Sequence, residues 1–239
     1  MNSGKDRKEF TTNSEKASRD YRILDDVIRF RLITNEAIAK THLAELKSNA
    51  TVKVTRRLVR SGWLQSYAFV GRRLYFVAGT RLVQQFGLPA NRCQPLGPQS
   101  LATQLSTLEY CISQRPVLKL LVEKEIDSIL GRASKEQRSL PLAIEQEFKD
   151  TLLRLIRVDL GGTPAHVAKK LASDIRVRES HEAYARLIAA RNLIVVVITS
   201  TDAKKSFIED AIRKRKWPAG IRFNVAIVHC LSNLLGVTK

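Results

Sequence analysis

Residues 49–77 read NATVKVTRRLVRSGWLQSYAFVGRRLYFV, and this stretch decides the fold of the first part of the chain. In its first half Val54 and Leu58 recur at helical spacing, with basic residues between them. From Trp63 onward the period becomes alternating, and Gly71 interrupts it at a turn, which is typical of a β-hairpin. The stretch therefore predicts a helix followed directly by a hairpin.

The segments on either side extend this pattern to residues 20–90. Apolar residues at three-to-four spacing predict a helix from Asp20 to about Leu32, and Thr34-Asn35 can cap a short second helix. After the hairpin, Gly79-Thr80 opens a closing helix. Three helices followed by a hairpin predict a winged helix-turn-helix.

Most of this part of the chain contains basic residues and no acidic ones. Between Leu46 and Leu108 lie 63 residues with nine Lys or Arg and no Asp or Glu. The whole chain has a net charge of +18, so a polyanionic partner is expected. We interpret the chain as a sequence-preferring protein that binds double-stranded DNA.

The predicted third helix would enter the major groove, and the hairpin would lie beside it. Residues near the start of the helix could reach base edges, and the remaining cations suit phosphates or an adjacent minor groove. The alternatives are a solvated basic face and a winged helix that acts as a protein-protein adaptor. The residues predicted to reach base edges are Asn49, Thr51, Lys53 and Arg56. Those predicted at phosphates or the minor groove are Arg57, Arg60, Arg72 and Arg73, and Lys47 is a further predicted DNA contact.

Composition divides the rest of the chain. Residues 1–19 are polar and charged and predict a disordered basic arm. Residues 91–115, which are rich in Pro and Gly at their start, predict a linker and a connecting helix. The remaining part, 116–239, mixes strand and helix patterns and predicts a small α/β domain for dimerisation or a degenerate nuclease-like role. The fold class expected for the whole chain is α+β or α/β.

Within this second domain the patterns alternate between strand and helix. A buried strand is indicated by the β-branched run 193–198. Residues 117–122 fit a strand or the start of a helix that runs on to Leu130. The other expected strands are 140–148, 151–160 and 221–228, and the expected helical regions are 163–191 and 203–216.

A metal-dependent nuclease needs at least two carboxylates to hold Mg²⁺, commonly with a lysine beside them. The chain offers such a set in Asp127, Glu145, Glu147, Lys149 and Asp159. Alternating charges on a hairpin are also typical of a cross-paired, solvated face, and we favour that structural interpretation. The expected protein is therefore not an enzyme, has no resident metal or cofactor, and would use Mg²⁺ only under the nuclease alternative.

Other candidate groups give weaker patterns. The histidines, His42, His166, His181 and His229, have neither ligand nor triad spacing. Gly161-Gly162-Thr163 precedes a helix and could hold an anion, but it lacks the ending of a phosphate-binding loop. The basic run from Lys204 to Lys216 is expected to be a solvated helix face, or alternatively to extend the DNA footprint.

A family resemblance adds to this interpretation. Residues 158–163 (VDLGGT), the pair Lys169-Lys170, and the strand ending Ile198-Thr199-Ser200 resemble the replication-relaxation family of bacterial mobile elements. The resemblance implies a winged helix joined to a domain similar to restriction-endonuclease folds, in a regulator or an accessory factor of replication or transfer. The chain departs from the family pattern at Arg157, where an acidic residue is usual, and this departure argues against nuclease activity.

The expected partner and location follow from these features. We expect a homodimer on double-stranded DNA, without membrane contact, in the bacterial cytoplasm and associated with the nucleoid. The longest apolar run, 193–198, is far shorter than a membrane span, and residues 1–8 lack the apolar core of a secretion signal. The odd number of cysteines, at widely spaced positions, fits a reducing compartment.

Overall fold

The computed structural model describes residues 3–44, 49–71, 73–145 and 152–236, with side chains described from residue 16 onward. The chain divides into two compact units, Met1–Leu96 and Gly97–Lys239. Each unit combines helices with one β-sheet, so the α+β class expected from the sequence is confirmed. Across the described ranges, no helix has both the length and the apolar character needed to span a membrane.

The first unit opens with a 28-residue helix, α1 (Ser3–Phe30). A helix was expected only from Asp20, after a disordered arm over 1–19, and the structure differs in continuing the helix back to Ser3. Propagating a helix from an already packed segment costs little per residue, and residues 3–19 contain no proline to stop it. In the second half of α1, Ile23 and Val27 are buried and anchor the helix to its unit.

Three further α-helices of this unit match the expected order. In α2 the Thr34 hydroxyl accepts a hydrogen bond from the Ala37 backbone N–H at 3.1 Å, which caps the start of the helix as the sequence indicated. Gly87 ends α4 in the left-handed conformation. The helices are α2 (Asn35–His42), α3 (Asn49–Arg60) and α4 (Thr80–Phe86), followed by a 3-10 turn at Ala90–Cys93.

A three-stranded antiparallel sheet completes the first unit. Its strands are β1 (Ile33–Thr34), β2 (Leu64–Ala68) and β3 (Leu74–Ala78), in the order β1-β3-β2. The predicted hairpin is present as β2 and β3, with Tyr67 opposite Tyr75. The hydroxyl of Tyr67 donates to the Cys93 carbonyl at the end of the 3-10 turn, and that of Tyr75 accepts from the Leu96 N–H, so the turn and the residues after it are held against these two tyrosines.

The second unit is built on a five-stranded mixed sheet in sequential order. The first two pairings are antiparallel and the last two are parallel. Parallel neighbours need crossover connections, and helices supply them here. The strands are β4 (Leu118–Leu120), β5 (Leu142–Glu145), β6 (Leu153–Val158), β7 (Leu193–Thr199) and β8 (Arg222–Ile227).

Helices cover both faces of this sheet. Leu153 and Leu155 of β6 belong to the core that also contains residues of the crossover helices, such as Leu171 and Ile208. Because side chains alternate along a strand, Arg154 points to the opposite face, where α5 packs. The helices are α5 (Pro98–Ser113), α6 (Glu123–Leu130), α7 (Pro164–Glu179), α8 (Glu182–Ala189), α9 (Asp202–Arg213) and α10 (Cys230–Leu234).

Several sequence expectations for this unit change. The helix placed in a connector over 91–115 is α5, and it belongs to the second unit because its buried residues, including Leu105 and Leu108, form part of that unit's core. The ambiguity after Pro116 resolves into a short strand and then a helix. The strands expected at 140–148 and 151–160 are shorter, and residues 146–151 lie outside the described ranges.

Candidate nucleic-acid interface

Helix α3 has two distinct faces. The buried face is formed by Thr51, Val54, Thr55 and Leu58, which recur at helical spacing and pack against the rest of the first unit. The outward face carries polar and basic side chains, all of them exposed: Asn49, Lys53, Arg56, Arg57 and Arg60. The sequence prediction of a basic outer face on this helix is therefore reproduced by the geometry.

Thr51 is an exception among the predicted base-reading residues. It was expected near base edges, but only 4% of its surface is exposed, because it lies in line with the apolar residues of the buried face. Nearby, the Thr55 hydroxyl donates to Asn35 Oδ1 at 3.2 Å and to the Thr51 carbonyl at 3.1 Å. Thr55 therefore attaches α3 to α2, and both threonines lie on the buried face of α3.

This correction predicts different effects for neighbouring positions. We expect Thr51→Val to leave duplex-DNA affinity unchanged, because a buried side chain cannot touch DNA. Lys53→Ala should weaken binding several-fold, because it removes an exposed cation from the outer face. Fluorescence anisotropy with a labelled duplex measures both, and weaker binding by a folded Thr51→Val protein would contradict the assignment.

The cations of α3 differ in their partners. Arg57 Nη2 lies 2.7 Å from Asp20 Oδ2 of α1, and its side chain is 52% exposed. Lys53, Arg56 and Arg60 form no ion pair with any acidic side chain that the structure describes. Among the described side chains, these three cations on one helix face have no carboxylate partner, whereas Arg57 is already partly neutralised by Asp20.

Arg73, beside the turn of the hairpin, is exposed as predicted. The predicted contacts Arg72 and, before α3, Lys47 lie outside the described ranges. Val70 and Leu74 beside the turn are 44% and 41% exposed. The sequence reasoning missed Arg81, which is exposed and holds its guanidinium 4.4 Å from the centre of the Trp63 ring. Arg81 lies within residues 46–108, which contain no acidic residue, and this feature of the sequence could have identified it.

The described nuclease carboxylates, Asp127, Glu145 and Asp159, lie on separate parts of the second unit, and each of these three has a cationic partner. Asp127 of α6 accepts from Arg138 at 3.2 Å, and Glu145 of β5 forms an ion pair with Arg154 of β6. Glu147 and Lys149 lie outside the described ranges. Among the described side chains, no three His, Cys, Asp or Glu residues come close enough together to hold a metal ion.

The Glu145–Arg154 pair connects the sheet to α5. Arg154 Nη1 also donates to the Tyr110 hydroxyl at 3.1 Å and to Gln114 Oε1 at 3.4 Å. Burial disfavours the charged guanidinium, but the hydrogen bonds to Tyr110 and Glu145 outweigh it and raise the pKa of Arg154 above its ordinary value. Of the charged residues expected on a solvated, cross-paired face, the described pair Glu145 and Arg154 is cross-paired but mostly buried, with 16% and 13% of the two side chains exposed.

Asp159 is the most buried of these carboxylates, with 2% of its side chain exposed. It lies 2.7 Å from Lys204 Nζ of α9 and accepts hydrogen bonds from the backbone N–H groups of Gly161 and Gly162 at 3.1 and 3.0 Å. The sequence left open that Gly161-Gly162-Thr163 could hold an anion. In the structure the N–H groups of Gly161 and Gly162 bind the chain's own carboxylate, Asp159.

Comparisons with known proteins add no relative. No family model, curated protein or solved structure matches this chain.

The histidines make local contacts. His42 Nε2 lies 2.7 Å from Asp26 Oδ2 and so joins α2 to α1. His181 Nε2 lies 3.3 Å from the Arg132 carbonyl, and its ring contacts Tyr184 edge-on. His166 and His229 are exposed. None of these contacts pairs an imidazole with a nucleophile.

Proposed function

We propose that this chain is a non-enzymatic, sequence-preferring protein that binds double-stranded DNA, and that its first unit acts as a winged helix-turn-helix. The observation that carries the proposal is the outer face of α3. On it Lys53, Arg56 and Arg60 are exposed and form no ion pair with a described carboxylate, while the opposite face of the helix is buried.

The dimensions and chemistry of α3 suit the major groove. That groove is wide enough to admit one α-helix, and arginine is the side chain that most often recognises guanine there. Asn49 lies at the start of the helix, and Lys53 and Arg56 follow at one-turn intervals on the same side. In this arrangement Asn49 and Arg56 read base edges, and Arg60 contacts the phosphate backbone.

The order of elements in the first unit supports the same proposal. Helix α3 follows α2 after a short connection and is followed directly by the β2–β3 hairpin. In a winged helix the hairpin lies beside the recognition helix and touches the backbone or the minor groove. Arg73, exposed next to the turn, is the described residue that would make this contact.

The second unit would serve association and not catalysis. Its described candidate carboxylates, Asp127, Glu145 and Asp159, are each neutralised by a cation, which favours a structural role for them. The resemblance to the replication-relaxation family would make the protein a transcriptional regulator or an accessory factor in replication or transfer of a mobile element. Two copies would bind a site with two-fold symmetry.

The test is fluorescence anisotropy of the full chain with random duplex DNA and with duplexes selected from a random pool. Arg56→Ala combined with Arg60→Ala should raise Kd for a selected duplex about ten- to a hundredfold, because a good base contact is worth about 1–3 kcal/mol. The matched control combines Lys124→Ala and Lys135→Ala, which remove two exposed cations of the second unit.

Three outcomes would contradict the proposal. If the α3 variant binds as tightly as the control variant, α3 is not the recognition helix. Little duplex affinity of the unaltered chain at moderate salt would favour a protein-binding adaptor. Cleavage of DNA in a parallel incubation with Mg²⁺ would show that the protein is an enzyme.

A further inference from the structure

A second basic surface lies entirely within the second unit. Helix α7 and the residues that follow α9 border a hollow of about 520 Å³, here called the α7–α9 hollow. Four of its lining residues are cations and one is a carboxylate, Glu179. The cations are Lys169 and Arg176 from α7, and Arg215 and Lys216 from the segment after α9.

These cations are available to a partner. All four side chains are exposed, and none of them forms an ion pair with a carboxylate that the structure describes. Lys169 and Arg176 are seven residues apart on α7, which places them about 10 Å apart on one side of the helix. Two separate segments thus direct positive charge to one hollow.

Helix stability does not account for this arrangement. Cations in the last turn of a helix, or just after its end, interact favourably with its dipole, which is a sufficient reason for Arg176, Arg215 and Lys216. Lys169, however, lies in the second turn of α7, near the positive end of the dipole, where a cation gains nothing from it. Its alignment with the other three cations therefore points to an external anion.

The lining indicates which kind of anion fits. The indole N–H of Trp217 donates to the Ile212 carbonyl at 2.8 Å, and its ring packs on Phe223 with centroids 4.6 Å apart. This ring is committed to the fold and is not free to stack on an unpaired base. The remaining chemistry, several long cationic side chains, suits a row of phosphates.

We propose that the α7–α9 hollow binds the phosphate backbone of duplex DNA and adds affinity that does not depend on sequence. This inference rests on the proposed function for the identity of the partner, but it requires no contribution from α3. It predicts that the second unit contacts DNA in its own right.

The salt dependence of binding reports such contacts directly. Each phosphate that a protein neutralises adds about 0.9 to the slope of log K against log salt concentration. Loss of contacts in the hollow should reduce this slope. It should also lower the affinities for selected and for random duplexes by the same factor. Loss of base contacts from α3 should instead reduce the ratio between the two affinities.

The experiment uses the full chain with Arg215→Glu and Lys216→Glu combined. Its control combines Lys124→Glu and Lys135→Glu, two exposed lysines of the second unit outside the hollow, so both variants lower the net charge from +18 to +14. Relative to the control, we expect a slope reduced by about 2 and a Kd raised about tenfold or more for both duplexes. Equal slopes and equal Kd values for the two variants would overturn the inference.

A second pair of variants tests the other side of the hollow and separates the two proposals. Lys169→Ala with Arg176→Ala should weaken binding more than Lys124→Ala with Lys135→Ala, and an equal effect would contradict the inference. If hollow variants weaken binding and the α3 variant does not, the inference stands and the recognition-helix assignment fails. If only the α3 variant weakens binding, the proposed function stands and the hollow is a solvated surface.

Discussion

Replacing Gly79 with alanine is expected to lower the free energy of unfolding of the first unit by about 3 kcal/mol. Gly79 precedes α4, and its N–H donates to the Trp63 carbonyl at 2.8 Å. A Cβ atom at this position would lie 2.2 Å from the Gly62 carbonyl oxygen and 2.8 Å from the Trp63 carbonyl carbon. Both are backbone atoms, so no side-chain rotation can relieve the overlap.

Gly97→Ala is the matched control. Gly97 also precedes a helix without making a side-chain cap, and a Cβ there would meet no atom within 4 Å. Urea unfolding followed by Trp63 fluorescence in a Trp217→Phe background reports on the first unit, which contains Gly79, and Trp217 fluorescence in a Trp63→Phe background reports on the second unit, which contains Gly97. A midpoint shift no larger for Gly79→Ala than for Gly97→Ala, each measured in its own unit, would contradict the predicted overlap.

Asp159→Ala is expected to destabilise the second unit by about 3–5 kcal/mol, because removing one partner of a buried ion pair leaves the other uncompensated. The change leaves Lys204 without its carboxylate and leaves the N–H groups of Gly161 and Gly162 without their acceptor. Urea unfolding followed by Trp217 fluorescence in a Trp63→Phe background measures this loss.

The neighbouring lysine of α9 provides the comparison. Lys205 Nζ lies 3.9 Å from Glu209 Oε1, and both side chains are 38% exposed. Glu209→Ala should therefore cost less than about 1 kcal/mol, as is usual for surface pairs. If Asp159→Ala costs no more than Glu209→Ala, the buried carboxylate is not a structural element and a chemical role for it would have to be reconsidered.

Local patterns in the sequence were sufficient for most elements. The change of period at Gly62 placed α3 and the hairpin correctly, because helical and strand spacing depend only on nearby residues. Thr51 was misplaced because it was treated as polar, although it lies at the helical spacing of Val54 and Leu58. Counting its methyl group as apolar would have placed it on the buried face.

Contacts between distant residues could not be predicted from such patterns. Asp159 and Lys204 lie 45 positions apart, and Arg57 and Asp20 lie 37 apart, so only the packing of the elements brings each pair together. The α7–α9 hollow has the same origin. The run of cations after α9 is visible in the sequence, but its alignment with Lys169 and Arg176 arises from the packing of α7 against α9.

The Arg57–Asp20 ion pair has a consequence for the proposed complex. Asp20 occupies the guanidinium of Arg57 and so acts as an internal competitor, a carboxylate held where a phosphate would otherwise bind. A DNA phosphate that reached Arg57 would have to displace Asp20, and this exchange of one anion for another would release no counterion. Arg57 would then add almost nothing to the slope of log K against log salt concentration. Removing the competing carboxylate by Asp20→Asn would make DNA binding tighter.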